Sequence, residues 1–222
     1  VGLVKLRNEI YAINRNTIEV FDNVGSEFFP FQRIDGAQIQ KGAIGTHAAC
    51  VFMEQIAFVG GGRNEQISVY LGSNATATKI ATREIDEILE NYTTAQLEQI
   101  LVEARVFKNQ QLLYIHLPDR TLVFDGVASN AINQPVWSVN TSSLSGYSQY
   151  RAQNFVYCYD KWIVGDPESN YIGKFDESLS SHWGNPVRWE FGTTILYNES
   201  FGAVIHQLEL VALTGSIAIG LN

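Results

Sequence analysis

Short apolar runs separated by polar turns recur along the chain at an interval of about 50 residues. In the first unit, Leu3–Leu6 and Ile10–Ile13 are joined by a polar turn, and Ile18–Asp22 follows as a third run. Short runs rich in β-branched and aromatic residues are typical of β-strands. An aromatic residue stands near the end of the third run in every unit, at Phe21, Tyr70, Phe124 and Phe175.

A fourth run completes each unit, at Phe28–Phe31, Thr78–Ile80, Val136–Val139 and Val187–Phe191. Four strands in about 50 residues are typical of one blade of a β-propeller. The sequence therefore predicts an all-β fold with four consecutive four-stranded antiparallel blades over residues 1–192. A β-sandwich whose strands are alike by coincidence is the alternative, and four repeats in one frame disfavour it. We expect the four aromatic residues to pack between adjacent blades.

The connection after the second unit interrupts the β pattern. Apolar residues in Thr82–Glu90 and in Thr94–Glu103 recur at helical spacing, and Thr93 with Gln96 forms an N-cap signal for the second segment. The sequence predicts a helical hairpin inserted between blades over about residues 82–103. Its acidic residues are interpreted as a solvated face, with a binding surface as the less favoured alternative, at Glu84, Asp86, Glu87, Glu90, Glu98 and Glu103.

Residues 193–222 again carry strand-like runs, at Ile195–Tyr197 and Val204–Ala212. We expect them either to close the ring of blades or to begin a truncated C-terminal β domain. The first residue, Val1, already lies in the first predicted strand, so we expect the sequence to be a piece of a longer protein.

The composition limits the kinds of partner that the chain is expected to bind. The chain has 222 residues, a formal net charge of −8 and a pI near 5.0, and it has no basic run. A surface that neutralises phosphate needs clustered Lys and Arg, so tight direct DNA binding is not expected. Charged residues make up only 17% and aromatic residues 12% of the chain, which fits faces buried against partners or against neighbouring blades. No apolar run is long enough to span a membrane.

No catalytic, cofactor-binding or metal site is predicted. The histidines and cysteines show no metal-ligand spacing, at His47, His116, His182, His206, Cys50 and Cys158. The glycine-rich stretch Gly60–Gly62 lies between two predicted strands and is interpreted as a tight blade turn, not as a phosphate-binding loop. Asp22, Asp125 and Asp176 recur after the third run, where an aspartate starts a turn by bonding its own backbone.

Several separate blocks of sequence carry a family resemblance. They are Lys41–Thr46, Ile80–Thr82 before the predicted helix, Leu112–Pro118, Leu122–Asp125 and Pro135–Trp137. In this order and spacing they resemble the packaged-DNA stabilization proteins of short-tailed, podovirus-type bacteriophages or prophages, also called tail-hub or head-completion accessory proteins. The resemblance covers Asn16 to Asp176.

The resemblance implies a structural virion protein that is not an enzyme. Members form a homo-oligomeric, hexameric ring beneath the portal and its adaptor ring, close the DNA exit channel, and provide attachment sites for the tail needle and tailspikes. Packaged DNA would be retained by plugging and not by tight binding to phosphate. The implied location is the phage tail in the virion, with assembly in the bacterial cytoplasm and with neither a cofactor nor a membrane involved.

Two other functions stay open at this point. One is a generic propeller module that recognises a protein partner with the loops of one face. The other is a propeller-fold carbohydrate-active enzyme, which needs clustered carboxylates from neighbouring blades around the central channel. The recurring aspartates end the third strand, away from the axial first strand, and this position disfavours the enzyme.

Overall fold

Antiparallel sheets follow one another along the chain in a computed structural model that describes residues 2–179, 181–192 and 207. The first blade has the strand order β1-β2-β3-β4. Its strands are β1 (Gly2–Leu6), β2 (Glu9–Ile13), β3 (Ile18–Asn23) and β4 (Phe31–Ile39). Cross-strand pairing of Tyr11 with Val20 and of Ile13 with Ile18 places the buried side chains of β2 and β3 on one face.

The second blade has an interrupted first strand. Its strands are β5 (Gly42–Ala43), β6 (Ala49–Phe52), β7 (Gln55–Gly61), β8 (Ser68–Ser73) and β9 (Thr76–Lys79). Both β5 and β6 pair with the same edge of β7, one at each end. Two helices follow, α1 (Arg83–Glu90) and α2 (Thr94–Leu97).

The third blade again has four strands, and three paired strands of the fourth blade lie within the described residues. The third contains β10 (Leu101–Phe107), β11 (Gln110–His116), β12 (Thr121–Asp125), α3 (Gly126–Ile132) and β13 (Trp137–Asn140). The fourth contains β14 (Gln153–Cys158), β15 (Lys161–Gly165) and β16 (Ile172–Lys174), followed by a separate hairpin of β17 (Ser181–His182) and β18 (Asn185–Pro186).

The first strands of successive blades lie side by side. Strand β1 contacts β6, β6 contacts β10, and β10 contacts β14. Sheets that radiate from neighbouring first strands form a β-propeller, so the predicted fold class is confirmed. Large side chains between the first three blades are fully buried, among them Ile18, Ile39, Ile56, Phe58, Leu113, Ile115 and Leu122. A smaller cluster joins the third and fourth blades, formed by Tyr114, Val123, Tyr150, Ala152 and Val164.

The predicted fourth strand of the first blade is wrong. The structure has a loop where Phe28–Phe31 was expected, and β4 begins only at Phe31. The Val24 amide donates to the Pro30 carbonyl at 2.8 Å, which closes this loop. Pro30 has no N–H to give to a strand ladder, and Phe28 is 95% exposed. The apolar character of Phe28–Phe31 therefore does not indicate a strand.

The predicted fourth strand of the last blade is also wrong. Residues 187–191 form no strand, and the hairpin of β17 and β18 comes before them. Gly184, with φ of 81°, makes the tight turn of that hairpin. Trp183 covers Gly173 of β16 and donates its indole N–H to the Arg151 carbonyl at 2.7 Å, so its ring packs against the fourth blade.

The helical insertion is shorter than predicted. Helix α2 ends at Leu97, and residues 101–107 form β10 instead of continuing a helix to Glu103. In β10, Val102, Ala104 and Val106 alternate with Leu101, Glu103 and Arg105, and the whole strand pairs with β11. The alternation of side chains every second residue and the pairing with β11 favour a strand, and they outweigh the helical spacing of Leu97, Ile100 and Leu101. The capping box of Thr93 and Gln96 is present as predicted.

The recurring aromatic residues do not occupy equivalent positions. Phe124 is buried against Phe52 of the second blade, with ring centroids 6.1 Å apart, and Phe175 lies beneath Arg105 of the third blade, so both pack between blades as predicted. Tyr70 is buried but stacks on Phe58 of its own blade. The expectation is wrong for Phe21, which is only half-buried: Ile18 and Val20 form the buried face of β3, and Phe21 lies on the opposite face because the side chains of a strand alternate.

The chain divides into two units, residues 1–188 and 189–222. In the second unit the rings of Trp189 and Phe191 lie 4.9 Å apart. The strands expected at Ile195–Tyr197 and Val204–Ala212 lie outside the described residues, so their part in ring closure or in a C-terminal domain stays a prediction. Among the helices of the described residues, none has the length and apolarity to cross a membrane.

Candidate functional site

A buried polar seam joins the third and fourth blades. The Glu103 carboxylate of β10 accepts the Asn154 N–H at 2.8 Å and the Phe155 N–H at 2.9 Å. These amides do not bond within the β14–β15 ladder, because its register shifts between Gln153 and Val156. Asn154 has a left-handed conformation there, with φ of 57°. A β-bulge leaves residues outside the ladder, and here a carboxylate bonds them. The seam therefore fixes where the fourth blade begins.

His116 lies beside the same carboxylate. Its Nδ1 is 3.0 Å from the Thr121 hydroxyl, and its Nε2 is 3.2 Å from Glu103 Oε2 without hydrogen-bond geometry. The imidazole lies nearly parallel to the Tyr150 and Tyr114 rings, with ring centroids 6.5 and 6.2 Å away. The side chain is 1% exposed, so this acid–imidazole pair is closed to substrate and holds two blades together.

A buried cation completes the seam. The guanidinium of Arg105 lies 3.7 Å from the ring centroid of Phe175 and 4.7 Å from that of Phe107, and its buried Nε has no acceptor among the described residues. Such cation–π contacts stabilise a desolvated guanidinium without an acid. Burial raises the pKa of the Tyr114 and Tyr150 hydroxyls, so neither phenol acts as a base here.

Glu103→Ala tests the seam. The change removes two charge-assisted bonds to backbone N–H groups and is expected to lower the free energy of unfolding by about 2 kcal/mol. Amide hydrogen exchange should accelerate at Asn154 and Phe155, which lie in another blade. The control is Glu90→Ala, at an exposed helical position. Unchanged exchange at the two amides in the Glu103 variant would contradict the assignment.

A second ionic contact holds the loop between β15 and β16. The buried Asp166 carboxylate accepts the Arg151 Nε–H at 3.0 Å, the Ser169 hydroxyl at 2.5 Å and the Glu168 N–H at 3.1 Å. The Arg151 guanidinium, followed by these hydroxyl and amide donors, lowers the pKa of Asp166 to about 2. The loop is thus pinned to the segment that enters the fourth blade.

The Asp166 contact predicts a pH dependence. The folded pKa of about 2 lies below the ordinary value of 3.8, so the carboxylate stabilises the fold above pH 4 and stops doing so as the pH falls through 2. Asp166→Asn should therefore lower the midpoint of thermal unfolding at pH 7, and this deficit should shrink between about pH 4 and pH 2. Asp35→Asn, at an exposed position, is the control. A deficit that stays constant down to pH 2 would disagree with this cause.

The segment Lys41–Thr46 joins the turn after β2 to strand β7. The Ala43 amide donates to the Asn14 carbonyl at 3.0 Å, the Ile44 amide donates to the Val59 carbonyl at 2.8 Å, and Arg15 donates to the Ile44 carbonyl at 3.0 Å. Any side chain at Gly42 would collide with backbone, because its Cβ would lie 2.0 Å from the Asn14 oxygen. This sequence block is therefore a structural junction between the first two blades.

The glycine-rich stretch is not a turn, contrary to expectation. Gly60 and Gly61 lie inside β7, and a Cβ at Gly60 would lie 1.9 Å from the Gly42 oxygen of β5. Close approach of two backbones, and not a left-handed conformation, requires glycine at this position. The Gly62 amide bonds the Glu65 carboxylate at 3.0 Å, so the stretch shows no arrangement for holding phosphate.

The recurring aspartates have local backbone contacts, as predicted. Asp22 accepts the Asn23 N–H at 2.8 Å, and Asp125 caps α3 by accepting the Ala128 N–H at 2.9 Å. Asp176 accepts the Ser178 N–H at 3.1 Å, and the Ser178 hydroxyl and Lys174 lower its pKa. They begin turns or a helix in separate blades and do not converge on a site.

The remaining histidines and cysteines are dispersed. His47 is exposed, and His182 is half-buried with Nδ1 3.1 Å from the Ser142 hydroxyl and with its pKa lowered by burial. Cys50 and Cys158 are free thiols, and burial raises the pKa of Cys50 to about 12, which makes it unreactive. Within the described residues, no group of His, Cys, Asp or Glu is placed to hold a metal ion. His206 lies outside them.

A surface cleft lies between the hairpin turns of the first two blades and has a volume of about 450 Å³. Its carboxylates have local partners: Glu54 pairs with Arg7 at 2.5 Å, and Glu9 accepts the Tyr11 hydroxyl at 2.8 Å. Burial and this bond raise the pKa of Tyr11 to about 12. The cleft therefore brings acids together without leaving a pair poised for acid–base chemistry.

Sequence reasoning missed the seam because its residues come from distant positions. Glu103 is 13 residues from His116, which the pairing of β10 with β11 brings near, and 51 residues from Asn154, which lies in the next blade. The solvated helical face expected for Glu103 is wrong, because this residue lies in β10 and its side chain is only 13% exposed. One signal was available: Glu103 and Arg105 alternate with apolar residues, which indicates a strand with polar groups on one buried face.

Comparison with known proteins places this propeller in a family. The family described as "Bacteriophage P22 Gp10, beta-propeller" matches residues 1–180. The tail hub protein gp10 of Salmonella phage P22 is 29% identical over 188 residues, which are 82% of this chain and 39% of that protein. The chain thus spans about two fifths of the length of this curated relative.

A solved glycoside hydrolase structure is also similar in outline. It is a GH43 enzyme whose engineered form displays endo-xylanase and exo-arabinofuranosidase activity. The TM-score is 0.38 at 12% identity, over 88% of this chain and 44% of that chain. So low a score carries no argument about this chain.

The match over residues 1–180, by contrast, covers all four blades, and the chain belongs to the bacteriophage P22 Gp10 beta-propeller family of virion structural proteins.

Proposed function

We propose that this chain forms the propeller part of a phage tail hub that closes the portal channel and retains packaged DNA. The observation that carries the proposal is the family match across all four blades, together with 29% identity to a tail hub protein. The sealed seams support a structural role: Glu103 bonds backbone amides, and the neighbouring His116 is closed to solvent.

The proposed partners are other virion components. We expect a hexameric ring that contacts the portal and its adaptor ring and provides attachment sites for the tail needle and tailspikes. The protein would assemble in the bacterial cytoplasm and remain in the virion tail. Residues 193–222 would close the ring of blades or begin a C-terminal β domain.

The charge of the chain supports retention by plugging. At a net charge of −8, the protein repels the phosphate backbone, so it would block the channel without gripping the DNA. Weak phosphate contact would also let the DNA slide during ejection. Sub-micromolar duplex binding at physiological salt would contradict this part of the proposal.

The proposal is tested with particles assembled without the protein. They are expected to package DNA and then lose it, as measured by nuclease-sensitive DNA, and the complete purified protein should restore retention when added before leakage. A matched addition of heat-unfolded protein is the control. Particles that keep their DNA without the protein would contradict the proposed function.

A further inference from the structure

An exposed aromatic loop lies at the edge of the first blade. The loop comprises residues 24–30, between β3 and β4, and will be called the aromatic loop. Phe28 is 95% exposed, Phe29 64% and Val24 51%. Two aromatic side chains of this kind offer about 300–500 Å² of apolar surface, as much as the largest apolar patch of a typical monomer.

The two ends of the loop are bonded to each other. The Val24 amide donates to the Pro30 carbonyl at 2.8 Å, and the Gly25 amide donates to the Asn23 side chain at 3.1 Å. Gly25 takes the left-handed conformation, with φ of 65°, that this turn needs. The Phe29 ring meets Phe31 edge to face at 6.0 Å. A loop whose ends are bonded before binding loses less conformational freedom on association, so this geometry suits a contact surface.

The surroundings of the loop are acidic. Asp22, Glu27 and Asp35 are exposed around it, and the cation of Arg33 is paired with Glu19 at 3.4 Å. Membrane-surface segments combine aromatic residues with Lys and Arg, because lipid surfaces are anionic. An acidic aromatic loop instead complements an apolar pocket whose border is basic, and buried aromatic anchors are the usual centres of protein interfaces.

We propose that the aromatic loop is a docking anchor, with Phe28 and Phe29 inserted into an apolar pocket bordered by Lys and Arg on a neighbouring virion protein. The inference rests on the proposed function, because the partner belongs to the portal–adaptor assembly. The carboxylate of Glu27 faces the basic border and supplies orientation, whereas the two rings supply most of the affinity. This surface is distinct from the seam between the third and fourth blades.

The test uses particles that are filled with DNA and carry portal and adaptor rings but lack this protein. The complete protein is added as wild type, as Phe28→Ser/Phe29→Ser, and as the control Tyr159→Ser, which removes an aromatic ring that is 89% exposed on a turn of the fourth blade. The double variant is expected to bind at least about 100-fold more weakly, and the control within about twofold of wild type. Glu27→Lys should weaken binding most at low salt.

Outcomes separate the inference from the proposed function. Wild-type protein that fails to bind the particles would contradict both, whereas undiminished binding of the double variant would overturn this inference alone. The midpoint of thermal unfolding of the double variant should match that of wild type, because Phe28 lies outside the core. If the double variant has a lower midpoint, the single variant Phe28→Ser must still bind the particles more weakly than wild type. A lower unfolding midpoint for Phe28→Ser would indicate a loop covered by its own chain and would overturn the inference. The inference would also be overturned if wild-type protein sedimented with phosphatidylglycerol vesicles and the double variant did not.

Discussion

Phe124→Ala is expected to lower the free energy of unfolding by about 3–5 kcal/mol, the usual cost of truncating a buried Phe. Phe124 is 4% exposed and touches Phe52 of the second blade and Trp137 of its own, with ring centroids 6.1 and 5.1 Å away. Truncation would leave a cavity between two blades that cannot close without moving a whole sheet. Chemical denaturation with two spectroscopic probes measures the loss.

Phe28→Ala is the matched control for this prediction. It makes the same chemical change at a ring that is 95% exposed, so its free energy of unfolding should stay within about 0.5 kcal/mol of wild type. Equal stability of the two variants would show that Phe124 is not buried between the blades.

Gly60→Ala is expected to cost about 3 kcal/mol, although it adds only one methyl group. The added Cβ would lie 1.9 Å from the Gly42 carbonyl oxygen and 2.9 Å from the Ala43 Cα. Both are backbone atoms of β5, so relief requires opening the β5–β7 pair, and β5 also bonds the first blade through Ala43 and Asn14. Thermal and chemical unfolding measure the loss.

Gly165→Ala provides the comparison within another strand. There the nearest non-neighbouring atom to the added Cβ is 3.6 Å away, an ordinary contact. We expect unchanged or slightly higher stability, because alanine restricts the unfolded chain more than glycine does. A small loss at Gly60, no larger than at Gly165, would refute the close approach of β5 and β7.

The hydrophobic pattern was sufficient to predict most strands and the fold class. Alternating apolar runs with polar turns placed β1–β3, β6–β8, β11 and β12 because those strands bury side chains on regular faces and turn tightly between them. The pattern failed where apolar residues serve another purpose. Phe28 is apolar and lies exposed in a loop, and the apolar residues of the predicted strand Val187–Phe191 form no strand.

Local signals also competed with one another. Residues 97–103 fit both a helical spacing and a strand alternation, and the pairing of β10 with β11 decided for the strand. Helix α3 was missed, although Asp125 caps it, because a single cap residue also starts ordinary turns. The bonds from Glu103 to the Asn154 and Phe155 amides join two blades, and no local pattern encodes them.

Electron cryomicroscopy of intact phage tails tests the central claim most directly. We predict density for a multi-bladed propeller in the tail hub, directly beneath the portal and adaptor rings, into which residues 2–179 fit blade by blade with the third and fourth blades joined at Glu103. Virions that contain the protein elsewhere, or tails whose hub density has no such propeller, would contradict the account.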